Sequence, residues 1–141
     1  MILEVRDAWN VRVLGKSLGI TKRIYDMTTK ERFQKVNLLR RHSRKAVILL
    51  NVTLIEAFEK RNNHRTELYL KKTILLCDKI KKSLNCALFL GYVEDYEVAE
   101  VLNDLEWLSC EVGHFLESNE KTKGKMGMYL EQYDRPAYQY V

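Results

Sequence analysis

The sequence predicts an all-α protein, an up-down-up-down four-helix bundle with a flexible C-terminal tail. Three observations predict it. Apolar residues recur at steps of three and four through four long stretches, the spacing that lays a stripe along one side of a 3.6-residue helix. The 141-residue chain has one proline, Pro136, and six glycines, too few breakers for a many-stranded sheet. The breaks that do occur are short, which makes successive helices antiparallel neighbours packed about 20° apart. A chain of 16.7 kDa suits a single domain. Residues 1–118 are expected to form the bundle and 119–141 a polar, tyrosine-bearing tail.

The first helix is expected to run to about Met27. It carries Trp9, Val13, Ile20, Ile24 and Met27 on one side, with Val11, Leu14, Leu18 and Tyr25 beside them. Gly15 and Gly19, four apart, suggest a side where another backbone comes close. Thr28 and Glu31 have capping-box spacing, so the second helix is expected to start at Thr28 and to reach about Arg61. Its stripe is Val36, Leu39, Ala46, Val47, Leu50, Thr53, Leu54, Ala57 and Phe58. Asn62, Asn63 and His64 read as a turn. The third helix follows from about Thr66 with Leu68, Leu75, Ile80, Leu84, Ala87 and Leu88 inward, and Gly91 closes it as a left-handed cap. The fourth begins near Asp95, a carboxylate suited to the positive end of a helix dipole. Its stripe is Val98, Leu102, Leu105, Val112 and Leu116, with Val101, Leu108 and Phe115 alongside. After Asn119 the pattern stops. The tail, with Tyr129, Tyr133, Tyr138 and Tyr140, is either flexible or a segment that orders on a partner or a neighbouring subunit.

Charge is distributed more unevenly than the net +5 suggests. From Lys30 to Lys82 fifteen Lys or Arg stand against five Asp or Glu, a balance of +10. From Tyr92 to Glu120 there are nine acidic residues and no Lys or Arg. Arg40, Arg41, Arg44 and Lys45 form two pairs four apart on the second helix. Lys72, Lys79 and Lys82 recur at steps of seven and three on the third, with Lys71 adjacent, and Arg61 and Arg65 flank the turn between the two helices. A solvated helix face is the plain reading of any charged run. The functional reading is a site for the phosphate backbone of RNA or DNA, with Arg for bidentate contacts, Lys for point charge and little reading of bases. A structural alternative has the basic surface of one subunit meeting the acidic fourth helix of the next, and both can hold at once. Either way, complementary surfaces on one chain predict a homo-oligomer with head-to-tail contacts.

Three stretches carry a family resemblance: VRVLGKSLGITKRIYDMTTKERF, the Arg-bearing apolar helix ending IEAF, and CALFLGYVEDYEVAEVLNDLEWLSCEVGHFLES. Over about residues 9 to 118 the chain resembles the four-helix-bundle proteins related to those encoded in ribosomal RNA intervening sequences. Ala87 to Ser118 is the most specific part. Within that group, the basic third helix, the IEAFEKRNN turn and the tail look most like the accessory variability determinants of diversity-generating retroelements. That resemblance implies a non-catalytic accessory protein assembled as a barrel-shaped homopentamer. It also implies nucleic-acid binding through the positive surface and association with the retroelement reverse transcriptase during mutagenic cDNA synthesis. The intervening-sequence branch implies instead an oligomeric structural or protein-interaction module.

Catalytic constellations are not recognisable. His42, His64 and His114 are isolated, apart from Glu111 and Glu117 three residues either side of His114, and one such helix does not make the two-helix motif of a bundle di-metal site. Ser109 and Cys110 sit mid-helix without a nucleophile turn. The expectation is therefore no enzyme, no metal and no cofactor. Cys77, Cys86 and Cys110, odd in number and set in apolar patterns, are expected to be buried free thiols. No apolar run approaches a membrane span and no signal peptide is visible, so a cytoplasmic location is expected.

Overall fold

A computed structural model describes the backbone of residues 4–30, 33, 36–60 and 63–130, and the side chains lying between 8 and 120 within those ranges other than that of Asn63. It contains four helices: α1 Glu4–Thr29, α2 Asn37–Glu59, α3 Asn63–Phe89 and α4 Asp95–Leu130. No strand occurs among the described residues. Each helix packs against the next and α4 closes back on α1. Cross-helix bonds between Trp9 and Glu111 and between Lys30 and Glu97, at opposite ends of the pair, make α1 and α4 antiparallel. The bundle is therefore up-down-up-down, as the periodicity predicts.

The core lies where the stripes converge. Val13, Ile20, Ile24, Leu50, Leu54, Ile80, Leu84, Leu105 and Leu108 are all buried. Each end has an aromatic closure. Trp9 stacks on Phe115 with ring centroids 4.9 Å apart and meets Phe58 edge-on at 6.1 Å. At the other end Phe33, fully buried in the α1–α2 connection, tilts against Tyr92 at 6.3 Å.

Several boundaries differ from expectation. Thr28 does not open α2, because its hydroxyl donates back to the Ile24 carbonyl at 2.7 Å within the last turn of α1. Short i to i+3 turns at Lys30, Phe33 and Val36 carry the chain onward, and α2 begins at Asn37. Glu31, the other half of the expected capping box, lies outside the described residues. Asn63 and His64 belong to the first turn of α3 rather than to a turn. Thr66 allows this early start, since its hydroxyl donates to the carbonyls of Ala57 and Lys60 and occupies acceptors that the end of α2 leaves free. The backbone of α4 continues to Leu130, past the Asn119 at which the apolar pattern stops. The remaining tyrosines of the expected tail, Tyr133, Tyr138 and Tyr140, lie outside the described residues.

Gly91 ends α3 as expected. Its φ is +79°, the Tyr92 amide donates to the Ala87 carbonyl at 2.9 Å and the Gly91 amide to Leu88 at 3.0 Å, the two bonds of a Schellman motif. At the start of α4 the Glu94 amide donates to the Glu97 carboxylate at 3.1 Å.

Three side-chain expectations are corrected. Gly15 and Gly19 face solvent, and a methyl group at either would meet nothing within 4 Å, so no backbone approaches there. Leu68 and Leu75 point outward, while Leu70, Thr73 and Cys77 take the inner positions. Of the thiols only Cys77 is buried; Cys86 and Cys110 are exposed because the core-facing side of each helix is filled by neighbours one or two positions away. Among the described residues no helix is long and apolar enough to cross a membrane.

Candidate nucleic-acid interface

The antiparallel packing of α1 on α4 decides which cations are free. Arg12 pairs with Glu111 at 3.2 Å and Lys16 with Asp104 at 3.5 Å. Arg23 bridges Glu100 at 2.6 Å and Asp104 at 3.2 Å, and Lys30 meets Glu97 at 2.5 Å. On the other flank of α4, Lys81 reaches Glu106 at 2.5 Å and holds its carboxyl below the usual carboxylate range. The acidic helix is thus largely neutralised within its own bundle, by α1 and by one lysine of α3.

The cations of α2 and α3 are treated differently. Arg41, Lys45, Arg65, Lys71 and Lys79 have no hydrogen-bond or ion-pair partner among the described residues, and all five are exposed. Among the described residues Lys82 pairs only within its own helix, with Asp78 at 3.0 Å. Lys72 lies over the Tyr69 ring, 4.9 Å from its centroid. Arg40 donates to Asn37 at 3.2 Å. Arg61 lies outside the described residues.

Arg44 is the exception within the second-helix cluster. Its Nε donates to the Thr28 hydroxyl at 2.9 Å, its second nitrogen to Thr29 at 3.2 Å, and its guanidinium stacks over Tyr25 at 4.6 Å. It ties the last turn of α1 to α2, a role that only the antiparallel register reveals. An open cleft of about 520 Å³ at the head of α2 is lined by Leu38, Arg40, Arg41, His42, Arg44 and Lys45.

Helix geometry then sets the shape of the surface. The Thr66–Ala57 bond fixes the α2–α3 register. At equal rise along the two helices, Lys79 lies level with Arg44 and Lys82 with Arg41. The arginine-rich start of α2 and the lysines near the end of α3 therefore share one end of the bundle. Lys71, Lys72 and Arg65 lie progressively farther along. The predicted residues do not form one tight site; they form a basic track with its highest density at that end. The arrangement offers positive charge and guanidinium donors of the kind that contact phosphates. Among the described residues no three His, Cys, Asp or Glu side chains cluster as metal ligands would.

No protein-family model matches the chain, and no curated protein sequence matches it. The fold is similar to a crystal structure of a protein of unknown function from the S23 ribosomal protein family of Bacteroides thetaiotaomicron VPI-5482. The two share 14% sequence identity with a TM-score of 0.70, over 77% of this chain and 97% of the other. That likeness concerns the four-helix bundle.

Proposed function

We propose that this four-helix bundle is a non-catalytic accessory protein that binds RNA or DNA through the α2–α3 surface and acts with a diversity-generating retroelement reverse transcriptase. The observation that carries the nucleic-acid part is the internal neutralisation of α4. Five of its carboxylates, Glu97, Glu100, Asp104, Glu106 and Glu111, pair with Lys30, Arg23, Lys16, Lys81 and Arg12, whereas Arg41, Lys45, Lys71 and Lys79 have no ion-pair partner among the described residues. Unpaired cations concentrated on one face are the electrostatic footprint of a polyanion site. The retroelement and reverse-transcriptase part is supported by the sequence resemblance of the basic third helix, the IEAFEKRNN turn and the tail.

Replacing Arg40 and Arg41 by Gln removes two cations at the densest end of the track while leaving Arg44 in place. Binding to RNA, DNA and hybrid duplexes is expected to weaken alike. The slope of log affinity against log salt should flatten by about 1.5, since each lost phosphate contact removes about 0.7 to 0.9. A double variant with wild-type affinity and slope would show that these arginines serve solubility only.

A second reading, an oligomeric structural or protein-interaction module, is favoured by the aliphatic side chains left exposed on α2 and α3. The two readings are compatible, and we propose a homo-oligomer, a pentamer by the family resemblance. Charge pairing between α4 of one copy and the basic face of the next is no longer its support, because α4 has partners inside the chain.

A further inference from the structure

Phe89 closes α3 with its ring 90% exposed, the most open large apolar side chain among the described residues. A single apolar side chain on a surface is ordinary, so its neighbours decide what it means. Lys82 and Lys71 precede it by seven and eighteen residues, whole numbers of helical turns, and both are exposed on the same side of α3. Counting from the Thr66–Ala57 bond, Lys82 is level with Arg41 across the α2–α3 seam. The ring therefore stands about 10 Å beyond that pair of cations, at 1.5 Å per residue. This is the length of about three nucleotides of one strand at 3.4 Å each.

The head of α2 repeats the combination. Leu38, 81% exposed, shares a face with His42 and Lys45, four and seven residues on, and lines the cleft with Arg40 and Arg41. The last turn of α3, which carries the ring, is held by the Tyr92 amide on Ala87 and the Gly91 amide on Leu88, so little backbone order is lost when a ligand lands there. Cations alone serve any phosphate. An open ring and an open leucine among them serve a ligand with an apolar face beside its phosphates. In nucleic acid that face belongs to an unpaired base, because a duplex keeps its bases stacked inside.

We infer that the polyanion taken at this end of the bundle is single-stranded RNA or DNA, with Phe89 stacking on one of its bases while Arg40, Arg41 and Lys82 meet its phosphates. Stacking uses the face common to every base, so the site favours unpaired strands without reading sequence. The inference rests on the nucleic-acid reading above and narrows its substrate class. Tyr96, also strongly exposed at this end, is set differently. It lies between Asp95 and Glu97 in the first turn of the acidic helix, where carboxylates oppose a phosphate backbone.

Equilibrium binding of the full chain to a labelled oligo-thymidine and to a blunt DNA duplex of the same length, at one salt concentration, tests the assignment. Phe89→Ala should weaken the single strand about 5-fold or more and leave the duplex within about 2-fold, with helix content unchanged. Tyr96→Ala should leave both affinities unchanged. Phe89→Trp keeps a stacking ring and should retain the strand; its emission, over that of Trp9 and Trp107, should be quenched by the strand and not by the duplex. Equal loss of both ligands in Phe89→Ala, loss of neither, or the same selective loss in Tyr96→Ala overturns the stacking inference and leaves the nucleic-acid reading intact. A wild type that binds neither ligand overturns both.

Discussion

Asn51 occupies the inner side of α2, where an apolar residue would complete the stripe. It accepts from the Ser17 hydroxyl and donates to Thr21 at 2.8 Å, so a small polar network crosses the α1–α2 seam inside the core. Truncating Asn51 to Ala strands the buried Ser17 hydroxyl and should lower stability by about 1 to 3 kcal/mol in denaturant melts. Pairing Asn51→Leu with Ser17→Ala removes both partners and should recover much of that loss, because the cost lies in the orphaned group. Cys77 is a second buried group with a measurable signature. Burial pushes its thiol from 9.0 up to about 11, against the pull of a hydrogen bond with Ser109. The unfolded chain releases this proton first, so the stability it confers is complete below about pH 9 and is lost as pH rises toward 11. The advantage of wild type over Cys77→Val should shrink by roughly 2 kcal/mol between pH 8 and 10.5. Thiol reagents should label Cys86 and Cys110 in the native protein and Cys77 only on unfolding.

Among the elements, α1 offers the simplest gain. Gly19 lies on its exposed side with open space where a methyl group would go, so the flexibility of glycine is not used there. Gly19→Ala should raise stability by about 0.5 to 1 kcal/mol, read as a shift in denaturation midpoint. The helices themselves were legible, because 3.6-residue periodicity survives in any long amphipathic stretch. Which side of α3 faces inward was not. The segment LYLKKTILLC satisfies two phases, with Leu68 and Leu75 on one and Leu70 and Cys77 on the other. Packing against α2 and α4 chooses the second. The capping box at Thr28 misled for a related reason, since a threonine hydroxyl can serve the end of one helix as well as the start of the next.

Across the whole molecule, charge has been sorted by register. Arg12, Lys16 and Arg23 lie in sequence far from the acidic helix. They become partners of Glu111, Asp104 and Glu100 only when α1 is laid antiparallel on α4. The basic track was therefore visible in composition, while its freedom from internal partners was not. One consequence concerns how the protein tolerates change. A substitution at Lys71 or Lys79 strands no carboxylate, and charge reversal there should move the melting free energy by less than about 0.5 kcal/mol. Arg23→Ala deprives both Glu100 and Asp104 of a counter-charge, and it should cost more than either reversal in the same melts. The outer face of α2 and α3 can thus drift in charge while the α1–α4 seam keeps the scaffold unchanged.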